Sequence, residues 1–330
     1  MRLGVDVMGG DKAPDAILKG CLQALPDMDP DEEMVLIGDE PLIRDYLHEA
    51  GVRDRRLLIS HTSEVITMDD PPVEAVRQKK DSSIVKMALL GSKKVDESHL
   101  HCDAVVSAGN TGACVSAATM HMRRLPGVHR PGITVTIPTF HGPVVLCDAG
   151  ANPEPRPSHL SQYALMAETV SRLVHRQHQP RIGLINIGAE EGKGTDLIRG
   201  THEILKSTPS IRYVGYVEGR DIFDGVCDVV VTDGLVGNTL LKMAEGFAKS
   251  IINGIVSEIM EQDPELMLRL EPVLKGMFKK LDYHEHGGAP LLGVNGVCMI
   301  AHGSSEAKSI RAALKQCRSY VRADLNLAIG

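Results

Sequence analysis

The chain has 330 residues, of which 43% are hydrophobic and 24% charged, enough to bury a large core in one lobed domain or two modest ones. It carries no Trp, 4 Phe and 6 Tyr, so that core must be aliphatic, which suits parallel strands covered on both faces. The net charge of −7 and the lack of aromatic platforms exclude bulk nucleic-acid binding.

In chain order, short apolar runs end in glycine-rich turns and give way to helical spacing. Leu3–Val7 reads as a strand ending in Met8-Gly9-Gly10-Asp11, with a helix from about Pro14. Met34–Ile37 reads as a strand, followed by a helix through Leu47. Asp103–Val106 leads into Ser107–Gly112, and Val144–Cys147 into Asp148–Asn152. Ile182–Ile187 leads into Gly188–Gly194, and Cys227–Thr232 into Asp233–Asn238. This alternation predicts an α/β fold with a mainly parallel, Rossmann-like sheet sandwiched by helices. Ligands on such sheets sit at the carboxyl ends of strands, so the glycine-rich turns mark the expected active edge. No linker divides the chain, and a single lobed domain over 1–330 is expected.

One short echo stands out. Cys102-Asp103-Ala104-Val105-Val106-Ser107-Ala108-Gly109 parallels Cys227-Asp228-Val229-Val230-Val231-Thr232-Asp233-Gly234. About eight residues are too few for a repeat fold, so two similar strand–loop–helix units are expected. The stretch 253–281 differs from the rest: it is apolar at helical spacing and contains Pro264 and Pro272, so it predicts two or three helical pieces.

Among the turns, Ser107-Ala108-Gly109-Asn110-Thr111-Gly112 follows a buried strand and opens a small-residue helix at Cys114–Met120. Glycines let backbone approach an anion, a helix start aims N–H groups at it, and Asn110 and Thr111 add neutral donors. Asp233-Gly234-Leu235-Val236-Gly237-Asn238, ahead of a helix from Leu240, repeats the arrangement. Each also reads as a plain strand-end turn with an N-cap. Gly188–Thr195 resembles a phosphate loop, but three residues rather than four precede its Gly-Lys pair, and Gly194 follows Lys193, which excludes an NTPase. Lys193 itself suits phosphate as a point charge. Asp6–Asp11 is not a dinucleotide fingerprint. His302 reads equally as an acid/base or a structural hydrogen bonder, and Ser304 lacks the nucleophile elbow of a serine hydrolase.

Fourteen His give no metal-ligand spacing, and His99 with His101 is a weak pair, so neither a metal nor another cofactor is expected. Seven widely spaced Cys read as small buried hydrophobes in a reducing compartment. Basic residues cluster at Lys79-Lys80, Lys93-Lys94, Arg123-Arg124 and Arg130, either as a solvated face or as docking for an acidic partner. The N-terminus lacks a secretory apolar stretch, and no run reaches the roughly 18 apolar residues of a membrane span.

Taken together and in this order, the motifs resemble the bacterial phosphate acyltransferases of phospholipid synthesis. The resemblance runs through Asp6–Asp11, Ser107–Ala113, Arg130-Pro131, Asp148–Asn152, Asn186–Gly194, Asp228–Asn238, Gly287–Gly293 and His302–Ser305. It implies a fold like that of isocitrate and isopropylmalate dehydrogenases and phosphotransacetylases. It also implies a homodimer, and transfer of an acyl group from acyl carrier protein to inorganic phosphate. Lys193 and Asn238 are the positions it favours for catalysis, with His302 assisting thiolate departure. It marks Asp6, Gly9 and Gly10, then Ser107, Gly109, Asn110, Thr111 and Gly112, for phosphate or substrate binding. Asp148 and Asn152, Asp233, Gly234 and Gly237, and Gly287 and Gly288 complete that set. A helical hairpin over 259–281 is implied at the dimer tip, touching the inner face of the cell membrane from the cytoplasm. The downstream glycerol-3-phosphate acyltransferase is a further implied partner. His286, where the family usually has Tyr, and Gly132, where Ala is commoner, are departures. A phosphotransacetylase-like enzyme using acyl-CoA, and a non-catalytic carrier-protein scaffold, are the alternative readings.

Overall fold

The computed structural model describes residues 1–93, 100–281 and 287–330, with 278–281 described by backbone alone. Lys94, His99 and His286, named above, lie outside the described residues. In chain order the elements are β1 (Arg2–Asp6), α1 (Asp15–Ala24), β2 (Glu33–Gly38), α2 (Glu40–Glu49), β3 (Leu57–His61), α3 (Pro72–Gln78), α4 (Ser83–Leu90), β4 (Ala104–Ser107) and α5 (Thr111–Ala117). They continue with β5 (Gly132–Thr139), β6 (Gly142–Cys147), α6 (Pro157–Leu173), β7 (Arg181–Ile185), α7 (Asp196–Lys206), β8 (Arg212–Val217), β9 (Val229–Val231) and α8 (Gly234–Gln262). The last are α9 (Pro264–Leu281), β10 (Ala289–Leu292), β11 (Val297–Ile300), α10 (Ala307–Arg322) and α11 (Leu325–Ile329).

The chain folds as two compact units. The first holds residues 1–135 and 286–330, the second 136–285. In the first unit the strand order is β3-β2-β1-β4-β11-β10-β5. Strands β3, β2, β1, β4 and β11 are parallel, while β10 is antiparallel to β11 and β5. Leu3, Val5, Leu36, Val105 and Met299 are completely buried, as strands covered on both faces require. Helix α1 packs on α10, and a Cβ at Gly20 would lie 2.6 Å from Ile310 Cβ, so the glycine sets their close approach.

In the second unit β6-β9-β7-β8 are all parallel. Ile137, Val144, Leu146, Val217, Ile222, Cys227 and Val230 form its core. All seven Cys are buried with free thiols, as their apolar settings predict.

The echo performs one structural job twice. The Asp103 carboxylate accepts Arg2 N on β1 at 2.7 Å, and the Asp228 carboxylate accepts Arg181 N on β7 at 2.8 Å. Each aspartate thereby fastens the entry of its strand to a neighbouring strand.

Two expectations about helices are corrected. The helix expected from Leu240 begins at Gly234, because Asp233 caps it by accepting Leu235 N and Val236 N at 3.0 and 2.9 Å. The hairpin expected over 253–281 or 259–281 is therefore the pair α8–α9, spanning 234–281. Pro264 does break the chain there, as the first residue of α9, but Pro272 lies inside α9 and does not divide it.

Candidate functional site

Strands β1, β4 and β11 lie side by side in the first unit, with their carboxyl ends together. Asp6, the last residue of β1, is completely buried. Burial pushes its carboxyl above the ordinary range, opposed by hydrogen bonds from Ser107, Ser83 and the N–H groups of Met8 and Gly9. Ser107 Oγ donates to Asp6 at 2.6 Å and accepts Gly109 N at 3.0 Å. A Cβ at Gly9 would overlap the Asp6 carboxylate and lie 2.8 Å from Gly109 N. Asp6, Ser107, Gly9 and Gly109 thus lock two turns together, and the carboxylate's hydrogen bonds are spent on that lock.

The third turn joins through backbone. Ala301 N donates to Ser107 O and Asp11 N to Gly303 O, both at 2.8 Å, and Gly10 fits beneath the carbonyls of Ala108 and Gly303. His302 stands exposed on this turn. Ser304 N donates to its Nδ1 at 3.2 Å, so in the neutral ring the proton sits on Nε2. Thr111 is exposed as the first residue of α5.

Asn110 is engaged within the fold. Its Oδ1 caps α5 through Ala113 N at 3.1 Å, and its Nδ2 donates to the carbonyls of Thr67, Met68 and Asp70 at 3.1 to 3.2 Å. Gly112 admits Pro72, whose Cγ would lie 2.7 Å from a Cβ there. Gly287 and Gly288 serve packing: a Cβ at Gly287 would overlap the backbone of α10, and one at Gly288 would lie 2.8 Å from Met299 Cγ.

The second unit has a comparable edge where β6, β9 and β7 adjoin. Asp148 follows β6 and is completely buried. It accepts Gly150 N at 3.2 Å, Ala151 N at 3.0 Å and Asn152 N at 2.7 Å. Asn152 Nδ2 donates to Tyr163 OH at 2.7 Å, and Asn152 O accepts Gly234 N at 2.8 Å. The first turn of α8 lies flush on this Asp148 turn. A Cβ at Gly234 would lie 2.9 Å from the Asp148 carboxylate, and one at Gly237 would overlap the Asp148 carbonyl oxygen. These two glycines, with Asp233 as cap, therefore seat Asn238, whose Cβ would stand 3.6 Å from a Cβ at Gly150.

Lys193 lies on the loop after β7, shaped by Asn186 Nδ2 donating to the carbonyls of Gly188 and Lys193 at 3.1 and 3.2 Å. Its Nζ pairs with Glu190 at 2.7 Å, and this hydrogen bond holds the Glu190 carboxyl below its usual range. Both partners are exposed, and such a solvent-screened pair is little hindrance to an incoming anion. Among the described residues there is no His/Cys/Asp/Glu cluster able to hold a metal.

Of the basic clusters, Lys79 is committed internally to Asp70 and Val65 O at 2.6 and 2.9 Å, whereas Lys80, Lys93, Arg123, Arg124 and Arg130 are exposed. Sequence reasoning missed the 65–70 loop held by Asn110 and Lys79, for which only the polar spacing of Thr67 and Asp70 offered a signal.

Parallel strands with turns at their carboxyl edges place the chain in a recognisable fold class. A phosphotransacetylase from Streptococcus pyogenes superposes with a TM-score of 0.61 at 17% identity, covering 98% of this chain and 94% of that one. A branched-chain phosphotransacylase from Enterococcus faecalis V583 does so with 0.57 at 12% identity, covering 97% and 99%. A Salmonella typhimurium protein described as a 4-hydroxythreonine-4-phosphate dehydrogenase gives 0.52 at 13%, covering 97% and 99%. These likenesses define the fold. The chain belongs to the fatty acid synthesis protein family, an acyltransferase family whose model matches residues 1–327. Relatives named phosphate acyltransferase include one from Clostridium perfringens (strain SM101 / Type A), 41% identical and covering 98% of this chain and 94% of its own length. Another, from Dictyoglomus turgidum, is 42% identical over 100% and 96%. A third, from Anoxybacillus flavithermus, is 43% identical over 98% and 96%.

Proposed function

We propose that this chain transfers a fatty acyl group from an acyl carrier protein thioester to inorganic phosphate, giving acyl phosphate for phospholipid synthesis. One observation carries the reading: relatives named phosphate acyltransferase match nearly the whole chain at 41–43% identity. Acyl transfer to phosphate follows from that family. The carrier-protein donor and the mechanism are our own assignment.

Hydrogenphosphate is nucleophile enough for a thioester once positioned, so no protein nucleophile is needed. Its oxygen bonds to the carbonyl carbon, the C–S bond breaks, and the phosphate proton ends on the departing thiol. In the second unit, Lys193 holds the phosphate by charge, exchanging its exposed partner Glu190 for it. Asn238 meets the developing oxyanion with its amide. In the first unit, the turns at Gly9–Gly10, Gly109–Gly112 and His302–Ser304 bind substrate.

We further place a homodimer contact and a peripheral membrane contact on α8 and α9. Exposed Met243, Phe247, Ile251, Ile255, Leu268 and Met277 support this. Among the described residues no helix is long and apolar enough to cross a membrane, which is compatible with surface contact from the cytoplasmic side. A glycerol-3-phosphate acyltransferase would then take the product at that surface. Lys193→Ala and Asn238→Ala are expected each to lose about 100-fold or more in phosphate-dependent thioester consumption with folding intact. Near-normal turnover in both variants sinks the assignment. Parallel assays with acyl-CoA and acyl carrier protein donors decide the donor.

A further inference from the structure

Surface loops seldom display several bulky apolar side chains while being held still from beneath. Residues 65–73 of the first unit do both. Val65, Met68 and Val73 are 37%, 47% and 46% exposed. The backbone under them is fastened at two points. Buried Asn110 donates Nδ2 to the carbonyls of Thr67, Met68 and Asp70. Lys79 Nζ donates to Val65 O and pairs with Asp70, which also accepts Thr67 N at 2.7 Å.

The loop stands beside the strand-end turns. A Cβ at Gly303 would lie 3.0 Å from Met68 Cε and 3.5 Å from both Asp11 carboxylate oxygens. Gly303 follows His302 in the chain, and its carbonyl accepts Asp11 N. The methyl end of Met68 therefore borders the same turns that carry Gly10 and His302. The residue that tethers Met68, Asn110, is also the cap of α5 at that edge.

An apolar rim held in place ahead of binding avoids the ordering cost that a floppy loop would add on association. A polar strand-end edge with a fixed apolar lip fits a ligand with a polar reacting end and a long aliphatic tail. We infer that Val65, Met68 and Val73 form a lip that receives the aliphatic tail of a long acyl chain, beyond the few carbons a butyryl group carries, and so discriminate chain length. Asn110 and Lys79 act as positioning residues beneath it. The inference rests on the acyl-transfer reading.

The test compares equilibrium binding of palmitoyl- and butyryl-carrier protein to the full chain by titration calorimetry. The wild type prefers the palmitoyl donor, and Met68→Asp lowers that preference by about tenfold or more. Met68→Leu keeps it, while Asn110→Ala lowers it without altering any lip side chain. Should Asn110→Ala fail to fold, Lys79→Met reads the same tether from the opposite end of the loop. Equal wild-type affinity for the two donors, or a preference that Met68→Asp changes by less than about twofold, overturns the lip. Turnover in the same samples separates the two readings. Binding discrimination without phosphate-dependent thioester loss sinks acyl transfer alone, and thioester loss without discrimination sinks the lip alone.

Discussion

The substitution Gly237→Ala tests how tightly α8 is seated on the Asp148 turn. The added Cβ would overlap the Asp148 carbonyl oxygen and lie 3.0 Å from the Asp148 carbonyl carbon and from Thr232 Cγ2. The oxygen belongs to backbone held between Thr232 and the Asp148 carboxylate's own three-amide turn, so it yields little. Restoring even 3.0 Å requires the first turn of α8 to move on the order of 1 Å. That motion carries Asn238 with it and strains the 2.8 Å bond from Gly234 N to Asn152 O. A displacement on the order of 1 Å in a reacting group lowers turnover about 100-fold. Stability changes less. Overpacking costs about 1–3 kcal/mol, and replacing a helical Gly by Ala returns about 1 kcal/mol. The assay pairs phosphate-dependent thioester loss with urea unfolding. Gly246→Ala, in the same helix with nothing within 4 Å of its added Cβ, serves as control and should gain about 0.5–1 kcal/mol. Turnover of Gly237→Ala within about threefold of wild type, at wild-type stability, would refute the seating argument.

Other perturbations follow from the same geometry. Ser107→Ala removes the donor to buried Asp6 and the acceptor of Gly109 N, and should cost about 1–3 kcal/mol by urea unfolding. A loss below about 0.5 kcal/mol would mean that the two turns are held otherwise. Burial works to raise the Asp228 carboxyl, but hydrogen bonds from the Arg181 side chain and N–H outweigh it and leave the group below its ordinary range. Its folded value lies under its unfolded one, so its stabilisation is present above about pH 4 and lost as pH falls through the folded value. Asp228→Asn should therefore be less stable than wild type at pH 7, with the gap closing in acid; a gap constant down to about pH 2.5 contradicts this.

The inner strands were legible in the sequence because they are almost completely buried and so read as continuous aliphatic runs, whereas β3 and β8 are partly exposed and did not stand out. Val229–Val231 and Met34–Ile37 are examples of the inner runs. The antiparallel pair β10–β11 was not legible, since Ala289–Leu292 and Val297–Ile300 are four-residue segments among glycines. Helix starts were obscured for a related reason. Gly234 and Gly237 look like a loop, yet they are helical, and they are glycine because α8 passes against the Asp148 turn without room for a Cβ. The loops of the candidate site were found as loops, but the employment of their polar side chains was not. Asn110 read as a ligand donor because sequence shows its amide and not the three carbonyls that it meets. Lys193 and Asn238 differ in that the Lys193 ammonium pairs with an exposed carboxylate and Asn238 projects from a helix start fixed by its neighbours.

The most direct test of the central claim follows the products. Purified protein is mixed with acyl carrier protein thioester and inorganic phosphate, and acyl phosphate is read by phosphorus resonance beside titration of free carrier thiol. The account predicts one acyl phosphate for each thiol released, and no release when phosphate is omitted. Thiol release that is independent of phosphate, or that yields free fatty acid in place of acyl phosphate, would contradict it.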